Sequence, residues 1–182
     1  MNETKQKGLV TEIECELAFA KLGILLSKPI VEDSRYDYLA DIGNTFLRIQ
    51  CKTSSVSEDN SYIEFATRTA RSNTKETYAR KYTKKEIDYF YTYYNNKSYL
   101  VPVEECSTTK KLRFVPTKSG QIDGISFAKD FELEKILKEK EFFNDFQKHE
   151  VNIISSSKKN DIKNNQCIKC GKPVCDNATM CV

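Results

Sequence analysis

A chain of 182 residues can bury one proper hydrophobic core and one small appended module. Its 30% of charged and 11% of aromatic residues, with no Trp, are the composition of a soluble globular protein. The net charge of +3 is too small to establish nucleic-acid binding, so the distribution of charge has to carry that case.

No apolar run approaches a membrane span, since the best, residues 17–26, is broken by Lys21 and Gly23. The first residues lack the apolar core of a secretion signal. The expectation is a cytoplasmic protein, where seven cysteines point to metal binding or simple burial and not to a disulfide framework.

In chain order, residues 9–22 read as a helix with Leu9, Ile13, Leu17 and Ala20 on one stripe and Glu12 and Glu16 on its neighbour. Residues 36–40 and 45–52 read as two strands joined by the turn chemistry of Asp41-Ile42-Gly43-Asn44. The alternation of 62–67 predicts a third strand, and 68–85 is polar, irregular and basic. Residues 89–94 and 98–103 are aromatic and β-branched runs around Asn95-Asn96-Lys97, a strand–turn–strand unit. Short strands are expected at 112–115 and 125–127, and a helix over 132–146 carries Leu133, Ile136, Leu137, Phe142 and Phe146. Serines and lysines after 155 form a polar linker. The fold class is α/β, a mixed sheet between helices. The expected domains are 1–150, a linker over 151–165, and a small module over 166–182.

Strict alternation in 45–52 puts Leu47, Ile49 and Cys51 on one face and Phe46, Arg48, Gln50 and Lys52 on the other. Gln50 and Lys52 therefore point the same way, and the hairpin brings Asp37 beside them. A carboxylate, an amide oxygen and an amine converging there can hold a hard divalent cation and polarise a phosphate. Asp37 as a solvated strand-end residue is the plain alternative, weakened by its bulky neighbours Tyr36 and Tyr38; for Lys52 it is an edge-strand lysine.

Asp37…Gln50-x-Lys52 resembles the PD-(D/E)XK nuclease signature in the variant where Gln replaces the second acid. Joined to Gly8-Leu9-Val10-Thr11-Glu12, to Arg35-Tyr36-Asp37 and to Arg48-Ile49-Gln50-Cys51-Lys52-Thr53, it is similar to the group I intron homing endonucleases of that superfamily. The likeness continues more weakly through 84–90 and 99–102, spanning roughly residues 6–135. The resemblance implies a PD-(D/E)XK restriction-endonuclease-like core and a Mg²⁺-dependent double-strand DNA endonuclease, a homing enzyme acting as a homodimer or homotetramer. It implies Asp37, Gln50, Lys52 and Glu12 as catalytic residues, with Asp37, Glu12 and Gln50 holding Mg²⁺. A restriction, defence or junction-resolving nuclease of the same core, or a non-catalytic DNA-binding module, are the rival readings.

Glu14 and Glu16 compete with Glu12 for the third place. Gly8, one turn before Glu12, favours Glu12 by allowing close approach of another backbone. Arg68, Arg71, Lys75, Arg80 and Lys81, in a basic segment that ends with Lys84 and Lys85 and is interleaved with Tyr78 and Tyr82, read with Arg35 as a duplex-DNA surface, against the plain alternative of a solvated basic loop. His149, the single histidine, is incidental, which agrees with a metal-dependent mechanism. The aromatic run at 89–94 with 99–101 suggests contacts between subunits, against the alternative that these tyrosines lie under 132–146. Cys167-Ile168-Lys169-Cys170-Gly171-Lys172 supplies two thiolates at zinc-knuckle spacing. With Cys175 and Cys181 it resembles part of a short Zn²⁺ ribbon of mobile-element endonucleases, a structural site read as truncated from a longer parent. Cys15, Cys51 and Cys106 read as buried small hydrophobes.

Overall fold

The computed structural model describes residues 1–31, 33–72, 77–117 and 120–139, with the backbone alone over 70–72 and 77–78. The zinc-ribbon cysteines, His149, Lys75 and the later part of the expected second helix lie outside the described residues.

Helix α1 runs Glu3–Lys21. Asn2 caps it by accepting the Lys5 amide at 2.9 Å. It ends in a Schellman turn: Gly23, at φ 71°, donates to Ala20 O and Ile24 donates to Phe19 O, both at 3.0 Å. The buried stripe is Thr11, Cys15 and Phe19. Leu9, Ile13 and Leu17 are instead 45–52% exposed, which corrects the expected register. The real stripe is hard to read because it contains a threonine and a cysteine.

Then follow β1 (Leu25–Ser27), β2 (Tyr38–Asp41), β3 (Phe46–Cys51), β4 (Ser55–Val56), β5 (Tyr62–Ala66), β6 (Arg68–Ser72), β7 (Thr77–Lys81), β8 (Tyr89–Tyr94), β9 (Lys97–Pro102), β10 (Thr109–Arg113) and α2 (Leu133–Glu139). The main sheet has the order β1-β2-β3-β8-β9. Only β3 and β8 run parallel, Ile49 facing Tyr89 and Cys51 facing Tyr91. The β2–β3 hairpin pairs Tyr38 with Ile49, and Gly43 at φ 87° makes its turn possible, its amide bound to Asp41 Oδ1 at 3.0 Å. Asn95 and Asn96, at φ 49° and 60°, supply the left-handed pair that a tight β8–β9 turn needs.

Period-2 alternation splits the core across this sheet. One cluster joins Cys15 and Phe19 of α1 and Leu133, Ile136 and Leu137 of α2 to Ile49, Tyr91 and Leu100. The other joins Phe90, Tyr99 and Val101 to Ile63, Phe65 and Leu112 from the small sheet β10-β5-β4. Tyr89, Tyr91 and Tyr99 are at most 7% exposed, so these three fill the chain's own core and are not free for subunit contacts, while Tyr93 and Tyr94 are half-buried.

The segment expected to be irregular, 68–85, contains the antiparallel ribbon β6–β7, with Arg68 opposite Lys81 and Thr69 opposite Arg80. The ribbon forms a two-stranded sheet of its own, so its sequence carries no apolar alternation. Residues 125–127 form no strand; Phe127 makes an isolated bridge to Arg113.

Candidate active site

Asp37 stands just before β2, and its amide donates to Ile49 O at 2.8 Å. Its carboxylate Oδ2 accepts the Cys51 amide at 2.7 Å and the Gln50 side-chain Nε2. Gln50 is 8% exposed, and its Oε1 accepts the Tyr82 hydroxyl at 3.1 Å. Lys52 follows β3, its amide donating to Tyr91 O at 2.8 Å. The Lys52 Nζ donates to the Tyr82 hydroxyl at 3.4 Å. Asp37, Gln50 and Lys52 therefore sit in one connected network on the β2–β3 hairpin. Gln50 turns its NH₂ to Asp37, so it can ligate an ion beside Asp37 only after its carboxamide rotates.

Of the three acids on α1, Glu16 is engaged elsewhere, with Lys28 at 2.8 Å and the Tyr38 hydroxyl at 2.6 Å. Glu14 lines a separate hollow with Leu17, Lys21 and Tyr93. Glu12 is the helix acid whose charge bears on Asp37. Gly8 has no neighbour within 4 Å of where a Cβ would stand, so the close approach expected of it is not made. The tie between α1 and the site is one residue before Glu12: Thr11 Oγ1 lies 3.3 Å from Thr53 Oγ1.

Burial pushes the Asp37 carboxyl up to about 6, with the Glu12 charge adding to the rise and the Cys51 amide and Lys52 opposing it. Burial likewise lowers the Lys52 amine, and Arg35 adds to that, while Asp37 works against it. Asp37 is thus a carboxylate short of compensating positive charge, with a second carboxylate acting on it. That is the environment a hard divalent cation would relieve, and two carboxylates suffice for an ion that keeps several waters. Among the described residues no three His, Cys, Asp or Glu side chains gather into a metal cluster.

Arg35 is committed within the protein: it bonds Glu86 Oε1 at 3.0 Å, Thr69 Oγ1 at 3.1 Å and Lys81 O at 3.3 Å, and lies 3.9 Å over the Tyr82 ring. Arg80 also reaches Glu86, at 2.5 Å, with its side chain 69% exposed. Arg68 and Lys81 are exposed on the ribbon. Arg71 is placed in β6 opposite Tyr78 by its backbone.

Sequence reasoning missed two groups. Tyr82, read as a tyrosine of the DNA surface, is only 9% exposed and its hydroxyl joins Gln50 to Lys52. No local pattern marks it, since four polar residues, Thr83 to Glu86, separate it from the apolar Ile87. Arg48 clasps Asp88 with Nε and Nη2, each at 3.0 Å, and reaches Lys84 O at 2.8 Å. This clasp pins the middle of β3 to the residue just before β8 and so sets the position of Gln50 and Lys52 two and four residues on.

Among curated proteins none matches the chain. Among solved structures, the chain is similar to a bacterial homing endonuclease, I-Ssp6803I, with a TM-score of 0.64 and 21% identity, over 79% of this chain and 98% of that one. At that identity the likeness speaks for a shared fold. The sequence pattern of the PD-(D/E)XK endonucleases matches residues 2–134, most of the chain and all of the elements that carry Asp37, Gln50 and Lys52, and the chain belongs to that family.

Proposed function

We propose that this endonuclease is a Mg²⁺-dependent enzyme that hydrolyses phosphodiester bonds in both strands of duplex DNA, serving as a homing endonuclease. The observation that carries the reading is the single network of Asp37, Gln50 and Lys52, with Glu12 acting on Asp37. The homing role draws on the fold shared with I-Ssp6803I and on the Gln50 variant of the signature.

Asp37 and Glu12 hold the ion, and Gln50 fixes the Asp37 carboxylate by its amide bond. A divalent ion held there would acidify an attacking water and neutralise charge on the phosphate. Lys52, drawn to the site by Asp37, places its ammonium against the charge that develops on the phosphoryl oxygens. The exposed cations Arg68, Arg80 and Lys81 of the β6–β7 ribbon neutralise backbone phosphates, with Arg71, Lys75 and Arg35 completing the DNA-binding set. Arg35 acts from beneath, through Thr69 and Lys81. The chain works as a homodimer or homotetramer, because each chain carries one set of Asp37, Gln50 and Lys52 and a double-strand break needs two. Cys167, Cys170, Cys175 and Cys181 form a structural zinc site.

The test is a supercoiled plasmid bearing intron-insertion sites, incubated with purified protein and Mg²⁺ or EDTA. Linear product with Mg²⁺ alone supports the reading. Cleavage in EDTA, cleavage of branched DNA in preference, or tight binding without nicking would each replace it.

A further inference from the structure

Tyr82 follows β7 directly, and its ring is packed edge-on against Phe90 with centroids 5.3 Å apart and planes at 88°. The Arg35 guanidinium lies over the ring, 3.9 Å from its centroid. Arg35 is itself fixed by Glu86, and Glu86 accepts the Thr83 amide and hydroxyl, both at 3.1 Å. The ring is thus packed against Phe90 and Arg35, and its hydroxyl stands 3.1 Å from Gln50 Oε1 and 3.4 Å from Lys52 Nζ. A hydroxyl is both donor and acceptor. Here it donates to the Gln50 oxygen and accepts from the Lys52 ammonium, so one atom sets the carboxamide orientation and the reach of the amine.

We infer that Tyr82 is the positioning residue of this site, holding Gln50 and Lys52 in register from the base of the β6–β7 ribbon, with the Arg35–Glu86 pair locking its ring. The inference deepens the proposed phosphodiester cleavage and rests on it. Gln50 in turn meets Asp37 through Nε2, so the chain of contacts passes from Arg35 through Tyr82 and Gln50 to the metal-binding carboxylate. The same Arg35 touches Thr69 of β6 and the Lys81 carbonyl of β7. Seating the ribbon on DNA thereby bears on the geometry of the site.

Tyr82→Phe keeps the ring, its edge contact with Phe90 and its stack under Arg35, and removes the hydroxyl alone. Losing a hydrogen bond to a charged amine lowers kcat by about tenfold or more. DNA affinity and KM stay within about twofold, because the variant removes no phosphate contact. An unchanged kcat, or a raised KM with kcat intact, overturns the assignment, the latter making Tyr82 a DNA contact. A second measurement needs neither the variant nor cleavage: in the wild-type protein, nuclear Overhauser contacts should link the Tyr82 ring to the Gln50 carboxamide protons and the Lys52 ε-methylene. Their absence overturns the inference whatever the activity. A wild-type protein that shows these contacts and cuts no DNA contradicts the cleavage reading and leaves the arrangement of Tyr82 standing.

Discussion

Asp37 loses hydration in the folded chain and gains only the Cys51 and Gln50 hydrogen bonds and distant help from Lys52 and Lys28, so its proton is held up to about 6. The sign of the consequence follows from linkage. The unfolded carboxyl ionises near 3.8, so between that value and about 6 the folded state binds more protons. Stability therefore falls as pH rises through this window, and the deficit is complete above it. Asp37→Asn should raise stability at pH 7.5 in EDTA by about 1–3 kcal/mol and leave it unchanged at pH 3.5, as read by urea denaturation at the two values. Adding Mg²⁺ at pH 7.5 should raise the Tm of the wild type and not of this variant, since only the ionised carboxylate couples ion binding to folding. The hairpin logic at this scale was legible: alternation through Leu47, Ile49 and Cys51 and turn chemistry at Gly43 fixed which side chains share a face. Tyr82 was not, because its partner in the network is far along the chain and nothing local marks its hydroxyl as buried. The choice among Glu12, Glu14 and Glu16 was equally closed to sequence, depending on Lys28 and Tyr38 drawing Glu16 away.

Among the elements, β3 and β5 were readable from their alternation, and β8 and β9 from aromatic and β-branched runs that are buried on both faces of the sheet; the strand expected at 112–115 is β10, which starts three residues earlier, at Thr109. The ribbon β6–β7 crosses no core and was read as irregular. Helix α1 was placed but rotated: a stripe of Leu and Ile outweighed Thr11, Cys15 and Phe19 on the page, whereas the sheet selects the smaller pair plus one aromatic. Phe19 is fully buried and packs on Tyr91 with centroids 6.4 Å apart. Phe19→Ala should therefore cost about 3–5 kcal/mol. Leu17→Ala, on the face that is 45% exposed, should cost less than about 1 kcal/mol in the isolated chain. Chemical denaturation of both variants decides the register: a larger loss at Leu17 than at Phe19 would mean the helix is turned the other way.

For the molecule as a whole, the family pattern over 2–134 covers both sheets and the β6–β7 ribbon, and among the described residues no helix is long and apolar enough to cross a membrane. Tyr89, Tyr91 and Tyr99 are taken up by the chain's own core, so the case for assembly rests on the chemistry of a double-strand break. Light scattering should give a mass of two or four times 21.0 kDa at micromolar concentration; a 21.0 kDa species unaltered by DNA would exclude assembly. The most direct test of the account is to compare Asp37→Ala and Lys52→Ala with the wild type for cleavage and binding of the same duplex. Both variants should lose cleavage while DNA affinity stays within about tenfold, because phosphate contacts elsewhere dominate binding. If either variant cuts at the wild-type rate, the β2–β3 hairpin is not the active site.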